Sequence, residues 1–269
     1  MPPGKPLGLV AGEGHAPIYF VERLTGEGVP LVVVTFSDDQ AQRLSAAGAR
    51  VFRIRMGQFG RLLKILREHD VQEVTFLGKI EKPRALREAL PDLRALILWK
   101  RLASRNDDAI LRAVCQEFEK EGFRVVSPAE QLPELLTPEG VLTRRAPSRE
   151  EWKDIRWGLS VARRIGELDI GQCVVVKERM VVAVEAMEGT DETIRRAGRY
   201  RRGAVVIKIL KPTQDPRLDL PSAGAETIRV MREAGARVLA LEAGKSLFFE
   251  QDEAIREADR AGISIVGVR

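Results

Sequence analysis

The stretch 205–221 joins an apolar run to a loop of charged side chains. The run 205–210 is rich in β-branched residues, which is typical of a buried strand. Prolines in the loop fix their own φ angles and favour extended geometry in the preceding residues, so the loop should be stiff. The polar members of the loop are Lys211, Gln214, Asp215, Arg217 and Asp219, and its prolines are Pro212, Pro216 and Pro221.

Two cations and two carboxylates at the end of a core strand suggest a ligand site. Ligands in open α/β sheets bind at the carboxyl ends of strands. Carboxylate oxygens can hold a hard divalent ion, and lysine and arginine can neutralise phosphates. The alternative is a polar turn whose charges are only solvated, and the residue pattern alone leaves both interpretations open.

A second candidate site lies near the first residues. The apolar strand 7–11 enters a turn that contains Gly12 and Gly14, and a helix follows. Strand, glycine turn and helix form the opening of a nucleotide-binding βαβ unit, in which backbone N–H groups approach an anion. The pattern is incomplete because a third glycine is missing. Lys79, just after a later predicted strand, is either a phosphate contact or an ordinary loop lysine.

A third group of polar residues follows the predicted strand 180–186. Glu188, Gly189, Thr190 and Asp191 lie between that strand and the next helix. Gly189 permits a close approach of the backbone to a ligand. Thr190 or Asp191 is predicted to cap the helix, which is the structural explanation for both residues.

The paired carboxylates Asp107 and Asp108 precede a predicted helix that ends at Gly122. Capping of that helix by Asn106 or Asp107 is one explanation for the pair. Contact with a ligand is the other.

Two α/β halves must position these candidate residues. Strands alternate with helices through the first half, which predicts a parallel, Rossmann-like sheet with flanking helices. The predicted strands are 7–11, 29–36, 51–54 and 73–77, and the helices between the last three are 39–47 and 58–68.

A boundary between the halves is indicated by prolines. The stretch 127–148 holds four prolines and little periodicity, and a capping box of Ser148 and Glu151 then starts a long helix. A hairpin and further strands and helices follow, including a helix at 225–234 that Gly235 is predicted to end, so the second half is predicted to be an α/β domain. The predicted domains are a nucleotide-binding domain at 1–135, a linker at 136–148 and a catalytic domain at 149–269.

Composition is that of a soluble globular protein of 269 residues, with 44% hydrophobic and 31% charged residues. No run of about 18 apolar residues occurs, and the first residues lack the apolar length of a signal peptide. We therefore expect a cytoplasmic protein. Cys115 and Cys173 lie in apolar periodic segments and are interpreted as small core residues.

The net charge of +5 is mild, but five arginines crowd into eight residues. Such a cluster suits phosphates, nucleic acid or an anionic membrane surface, and a solvated helix face is the alternative. A nucleic-acid site would want exposed aromatic residues among the cations, and only Tyr200 is present, so no nucleic-acid partner is expected. The cluster comprises Arg195, Arg196, Arg199, Arg201 and Arg202.

Eight motifs spread from end to end give the chain a specific signature. They are LGLVAGEGHAP (7–17), VTFLGKIEKP (74–83), NDDAILRAVCQEFEKEGFRVV (106–126), LTPEGVLTRRAPS (136–148), DIRWGLSVARRIGELDIGQCVVV (154–176), VEAMEGTDETIRR (184–196), KPTQDPRLDLPSAG (211–224) and ADRAGISIVGV (258–268). In this order they resemble the UDP-2,3-diacylglucosamine pyrophosphatases of lipid A biosynthesis, of the non-metallophosphoesterase type. The resemblance implies two α/β domains with a substrate cleft between them.

The resemblance also implies hydrolysis of UDP-2,3-diacylglucosamine to UMP and 2,3-diacylglucosamine 1-phosphate (lipid X), with a divalent metal expected to be Mg²⁺. It implies a critical aspartate in the string D-L-P, which here is Asp219. We expect Asp219 to hold the metal or orient the attacking water, with Asp215 and Asp191 completing the shell. Lys211 is the third expected catalytic residue. Expected substrate contacts are Gly12, Gly14, Lys79, Asp107, Asp108, Glu188, Gly189, Thr190, Asp191, Gln214 and Arg217.

Two other functional classes stay open on residues alone. The glycine turn is compatible with a nucleotide- or NAD-binding oxidoreductase, and a binding protein without catalysis is the other alternative. For a lipid-linked substrate, peripheral contact of the basic surface with an anionic inner membrane is expected. The sequence does not predict an oligomeric state. Candidates for an acyl-chain lining, which are equally candidates for core, are Trp99, Trp157, Met187, Phe248 and Phe249.

Overall fold

The computed structural model describes residues 4–79, 91–101, 107–212, 214–218 and 220–269, without the side chains of residues 99 and 101–109. The chain divides into two compact units. One comprises Met1–Gln131 and Arg217–Asp219, and the other comprises Leu132–Pro216 and Leu220–Arg269.

The first unit is built on a five-stranded parallel sheet. Its strands are β1 (Leu7–Ala11), β2 (Leu31–Thr35), β3 (Arg50–Arg53), β4 (Glu73–Leu77) and β5 (Arg124–Val125). Their order in the sheet is β3-β2-β1-β4-β5, and every neighbouring pair is parallel. Because β1 and β2 are buried at every position, their continuous apolar runs form the centre of the sheet.

Helices flank this sheet and complete its core. They are α1 (Ala16–Gly26), α2 (Asp38–Ala46), α3 (Phe59–Glu68), α4 (Leu93–Arg101), α5 (Asp107–Lys120) and the short α6 (Pro128–Gln131). Phe118 of α5 is fully buried. Its ring lies edge-on to Phe59, Phe76 and Phe123, with centroid distances of 5.4, 5.5 and 5.7 Å. These aromatic contacts join two helices to the sheet.

The second unit is built on a six-stranded mixed sheet and a small two-stranded one. The strands are β6 (Gly140–Val141), β7 (Cys173–Lys177), β8 (Met180–Val184), β9 (Val205–Lys208), β10 (Ser222–Ala223), β11 (Val238–Glu242), β12 (Leu247–Phe248) and β13 (Ser264–Val268). The large sheet has the order β6-β13-β11-β9-β7-β8, in which β9, β11 and β13 are parallel. β10 pairs with β12 in the small sheet. The predicted architecture of two α/β domains is confirmed.

Alternate residues of β9 supply two different cores in the second unit. Val205 and Ile207 pack with Ile155 of helix α7 (Arg149–Glu167) on one face of the sheet. Val206 faces the other side and packs with a core that includes Ile194. This alternation is the period of two that a strand imposes on its side chains. The helices on the second face are α8 (Thr190–Gly198), α9 (Ala225–Ala234) and α10 (Gln251–Ala261).

Local signals predicted the helix ends well. The capping box of α7 is present: the Ser148 N–H donates to Glu151 Oε2 at 2.7 Å, and the Glu151 N–H donates to Ser148 Oγ at 3.3 Å. Gly235 ends α9 in the left-handed conformation, with a φ of 70°. The predicted strand 205–210 is too long by two residues, because the Leu210 N–H donates to the Glu242 carboxylate instead of to a neighbouring strand.

Buried side chains in both units form part of the core. Both cysteines are free and buried, as predicted for small core residues. Ile155, Leu159 and Ala162 of α7 are core residues on one face of the helix. Among the helices in the described ranges, none has both the length and the apolar character needed to cross a bilayer.

Candidate functional site

Charged side chains are buried at one edge of the second sheet. Glu185 directly follows β8, Lys208 ends β9 and Glu242 ends β11, and they are 6%, 6% and 5% exposed. Lys208 lies opposite Cys173, and the Glu185 N–H donates to the Cys173 carbonyl at 2.9 Å, so these residues share an edge. Buried charges are costly unless they are paired or functional, and we therefore take this edge as the candidate site.

Glu185 connects three segments at this edge. Its carboxylate accepts from Thr190 Oγ1 at 2.8 Å and from the Gln172 N–H at 3.3 Å. A Cβ on Gly171 would lie 2.1 Å from the Glu185 carbonyl oxygen, so only glycine allows the two backbones to approach so closely. Glu185 is thus fixed by the fold, and it fixes the start of α8.

The predicted substrate contacts after β8 are brought together around the start of α8. Glu188 is ion-paired with Arg196, and the pKa of its carboxyl is lowered, first by a hydrogen bond from its own N–H and then by Arg196. The prediction that Thr190 or Asp191 caps α8 is wrong. Gly189 occupies the N-cap position with a φ of 81° and has no side chain that could cap α8, and the Thr190 hydroxyl donates to the buried Glu185.

The loop after β9 begins with a tight turn around Lys211. The Gln214 N–H donates to the Lys211 carbonyl at 3.0 Å, and the Lys211 N–H donates to Gln214 Oε1 at 3.3 Å. Lys211 Nζ lies 2.5 Å from Asp169 Oδ1, and both side chains are largely buried. The predicted catalytic lysine is therefore oriented by a carboxylate that the sequence did not indicate.

Charged side chains also hold both ends of this loop. Lys208 Nζ donates to the Ser222 carbonyl at 2.8 Å, where the loop returns to a strand. Glu242 Oε2 accepts from the Leu210 N–H at 3.2 Å, where the loop leaves the sheet. Lys245 Nζ, 3.0 Å from Glu242 Oε1, balances that carboxylate.

The rest of the loop divides between the two units. Residues Arg217–Asp219 belong to the first unit, where Leu218 joins the apolar core and Arg217 Nη1 lies 2.7 Å from Glu119 Oε1. Asp215 is half-buried. Asp219, the predicted catalytic aspartate, lies outside the described residues, and its role stays a prediction.

In the first unit, the glycine turn lies against the loop after β4. The Gly12 N–H donates to the Leu77 carbonyl at 2.8 Å, and the Glu13 N–H donates to the Lys79 carbonyl at 2.7 Å. A Cβ on Gly12 would lie 2.5 Å from that same Lys79 oxygen, so glycine is needed for packing. Gly14 has a φ of 107° and open space beside its Cα. Gly12, Gly14 and Lys79 are therefore brought together, but the Gly12 N–H is already used by the protein.

Asp107 and Asp108 are placed only by their backbones. Asp107 is the first residue of α5. Their side chains, like Asn106 as a whole, are outside the described part of the chain, so capping and ligand binding both stay open as explanations.

The second unit offers oxygen donors for a divalent ion. They include Asp191 in the first turn of α8 and Asp215 in the loop. Both histidines, His15 and His69, belong to the first unit and so do not add to these donors. Burial raises the pKa of the Cys173 thiol, and Glu185 raises it further, so this thiol does not supply a thiolate ligand. Within the described ranges, no three acidic, histidine or cysteine side chains form a group that could hold a metal. The Mg²⁺ ion therefore stays a prediction.

The arginine cluster is partly neutralised. Arg195 Nη1 lies 2.6 Å from Glu192 Oε1, and Arg196 pairs with Glu188. Tyr200 is 72% exposed. The other members of the cluster, all exposed, are Arg199, Arg201 and Arg202.

Two of the candidates for an acyl-chain lining are core residues. Phe248 and Phe249 are 0% and 5% exposed. Trp157 is partly buried against the core beside α7, and Met187 is 90% exposed. The side chain of Trp99 is outside the described residues.

Asp169, Glu242 and Lys208 are the residues that reasoning from sequence did not select as site residues. A charge at the end of an apolar strand was the available signal for Lys208 in VVIK and for Glu242 in VLALE. For Asp169 no comparable signal exists, because its partner is 42 residues away.

Comparison with known proteins gives matches along the whole chain. Residues 6–135 match the family model of the LpxI N-terminal domain, and residues 138–266 match that of the LpxI C-terminal domain. The UDP-2,3-diacylglucosamine pyrophosphatase LpxI of Caulobacter vibrioides is 38% identical over 277 residues, covering 97% of each chain. Among solved structures, the glycotransferase of kitacinnamycin aligns with 98% of this chain and 86% of its own at 10% identity. Its TM-score of 0.30 supports no conclusion.

Proposed function

Because the chain belongs to the LpxI family, we propose that it hydrolyses the pyrophosphate of UDP-2,3-diacylglucosamine in lipid A biosynthesis. The products are UMP and 2,3-diacylglucosamine 1-phosphate (lipid X). Water adds to one phosphorus, the bond from that phosphorus to the bridging oxygen breaks, and the proton of the water is released. The family match covers both units, so the proposal concerns the whole chain.

The single structural observation that supports this function is the buried charge around the loop after β9. Lys208 and Glu242 hold the two ends of that loop, and Asp169 orients Lys211 inside it. A pyrophosphatase needs fixed charges, because preorganised groups stabilise a developing phosphate charge without reorganising during the reaction. A solvated turn would not bury its ions in this way.

Within the loop, we assign the chemistry to Asp219, Asp215 and Lys211. Asp219 orients the attacking water, and Asp215 assists it. Lys211 neutralises charge on the diphosphate while Asp169 keeps its ammonium group in place. Gln214 and Arg217 extend the contact surface on either side.

We further propose that a divalent metal, Mg²⁺, takes part. Asp219 and Asp191 would hold it, and when bound it would supply charge neutralisation on the phosphate oxygens. Asp191, in the first turn of α8, supports this proposal because carboxylate oxygens are ligands that Mg²⁺ prefers.

The uridine nucleotide is assigned to the first unit. Gly14 leaves open space beside its Cα, and Lys79 is exposed in the adjacent loop. Gly12 contributes shape, because its N–H is bonded to Leu77. Asp107 and Asp108 remain assigned to substrate binding from the sequence, and in the second unit so do Glu188, Gly189 and Thr190.

Contact with an anionic membrane surface is proposed for the exposed end of the arginine cluster. Arg199, Arg201 and Arg202 surround Tyr200, and none of these four side chains is buried. A basic surface of this kind is attracted to acidic lipids. Flotation with acidic vesicles at low salt should recover the protein with the lipid, and its absence from the lipid fraction would disprove the contact.

The function is tested by incubation with UDP-2,3-diacylglucosamine, with and without EDTA, and by detection of UMP. UMP should form, and EDTA should abolish it if a divalent metal is required. UMP formation that is insensitive to EDTA would remove the metal and keep the hydrolase. Binding of substrate with no UMP under any metal supply would favour the binding protein, and turnover of NADH would favour the oxidoreductase.

A further inference from the structure

A lysine is buried where the second sheet meets the catalytic loop. Lys208 is the last residue of β9 and is 6% exposed. It is two residues from Val206, so both side chains point to the face of the sheet covered by α8, α9 and α10. A lysine in such a place is rare, because removing its ammonium group from water is costly.

The ammonium group has one specific partner. Lys208 Nζ donates to the Ser222 carbonyl at 2.8 Å. Within the part of the chain that is described, this is its one hydrogen bond, and it makes no ion pair there. No carboxylate partner therefore accounts for the burial of this lysine. Its role must depend on the Ser222 carbonyl.

Lys208 and Ser222 are the two ends of the loop 209–221. The loop leaves the large sheet after Lys208 and enters the small sheet at Ser222. Ser222 is itself anchored, because β10 pairs with β12 and the Leu247 N–H donates to the Pro221 carbonyl at 2.8 Å. A hydrogen bond between the two ends fixes their separation and closes the base of the loop.

The first residues of the loop, directly after Lys208, are also held in place. Leu210 is held by Glu242, and Gly166 of α7 lets the loop lie close, with a Cβ there only 3.1 Å from Pro212. Hydrogen bonds therefore hold the backbone where the loop leaves the large sheet and where it enters the small one. A misplacement of about 1 Å in such a site can cost a hundredfold in rate.

We propose, resting on the pyrophosphatase function proposed above, that Lys208 is a positioning residue for the reaction. Its ammonium group closes the base of the loop 209–221 through Ser222 and so sets the placement of the catalytic side chains, without contacting the diphosphate.

The test is Lys208→Met, which keeps most of the length of the unbranched side chain and removes its donor. Two measurements follow: steady-state UMP formation, and the rate at which trypsin cuts the Arg217–Leu218 bond, read by mass spectrometry of the fragments. The Lys211–Pro212 bond resists trypsin because proline follows the lysine, so cleavage after Arg217 reports on the loop. Lys177→Met, a lysine at the opposite end of a strand in the same sheet, is the matched control.

Lys208→Met should lower kcat by about tenfold to a hundredfold with KM changed little, and should speed cleavage after Arg217. Lys208→Arg, which keeps a donor, should restore both. If Lys208→Met does not fold, Lys208→Gln takes its place. The glutamine side chain is too short to reach the Ser222 carbonyl, so the same changes in kcat and in cleavage are expected. Lys177→Met should match the wild type in both measurements.

Two outcomes would overturn the role. One is wild-type kcat and wild-type cleavage in Lys208→Met. The other is a raised KM with normal kcat and cleavage, which would mean that Lys208 contacts the substrate. If the wild type itself forms no UMP, the proposed function fails, and the cleavage rate still decides whether Lys208 closes the loop.

Discussion

Lys211 and Asp169, which are 42 residues apart in the chain, meet as an ion pair with Nζ 2.5 Å from Oδ1. Asp169 has a left-handed backbone with a φ of 55°, so it is placed by the turn that follows α7. Lys211 follows β9 and starts the charged loop. The pair therefore connects the charged loop after β9 to the turn that follows α7.

Asp169→Asn should destabilise the protein and slow UMP formation, because Lys211 loses a charged partner where little water reaches it. We expect a loss of about 1–3 kcal/mol in the free energy of unfolding, measured by urea denaturation. Lys64→Met, which removes an exposed pair with Glu68, is the control and should change the free energy of unfolding by less than about 0.5 kcal/mol. Equal stability and equal activity of Asp169→Asn and wild type would show that the pair has no role.

Gly171→Ala should destabilise the protein, because its Cβ would overlap the Glu185 carbonyl oxygen. Overpacking of this kind costs about 1–3 kcal/mol, and the displaced Glu185 should also lower activity. Gly26→Ala is the matched control, since no atom lies within 4 Å of its added Cβ, and it should be neutral or stabilising by up to about 1 kcal/mol. A Gly171→Ala protein as stable as the control would contradict the packing described at this edge.

Glu151 should stabilise the protein in a pH-dependent way. Burial raises the pKa of its carboxyl, but hydrogen bonds from Arg145 and Ser148 outweigh burial, and the pKa is lowered from 4.5. A group whose pKa falls on folding adds stability above its unfolded pKa, and this stability is lost as the pH falls through the folded pKa. Glu151→Gln should therefore cost about 1–3 kcal/mol of unfolding free energy at pH 7 and progressively less below pH 4.5.

The control for that titration is Glu150→Gln, its exposed neighbour in the same turn of α7. The urea midpoint of Glu150→Gln should match that of the wild type at pH 7 and below pH 4.5. A cost of Glu151→Gln that does not change with pH would mean that the lost shape, rather than the lost charge, is responsible.

Cys173 should be unreactive in the folded protein. Burial raises the pKa of its thiol, and Glu185 raises it further, so little thiolate forms at pH 8. In a Cys115→Ala background, Ellman's reagent should label Cys173 only after unfolding in urea. Complete labelling of the native protein within minutes would show that this end of β7 is open to solvent.

Local signals account for what the sequence predicted well. The Ser148 and Glu151 capping box and the Gly235 helix end depend only on neighbours within one or two turns. The β-branched run that ends at Lys208 predicted the strand and the place of the charged loop. These features need no knowledge of which strands are adjacent.

The residues that the sequence did not reveal depend on tertiary contacts. Asp169 meets Lys211 only after β7 and β9 have paired, and Glu242 meets Leu210 only because β9 and β11 are neighbours. The capping prediction for Thr190 failed for the same reason. Its hydroxyl has a buried carboxylate available, which competes with the helix end for the hydrogen bond.

The most direct test of the catalytic loop is the rate of UMP release from UDP-2,3-diacylglucosamine by Asp219→Asn. Asp252→Asn, which changes an aspartate in the first turn of α10, is the control. We predict that both variants unfold at the wild-type temperature, that Asp252→Asn keeps wild-type turnover, and that Asp219→Asn loses about 10²–10⁴-fold in kcat. Turnover by Asp219→Asn close to that of the wild type would contradict the assignment of the reaction to this loop.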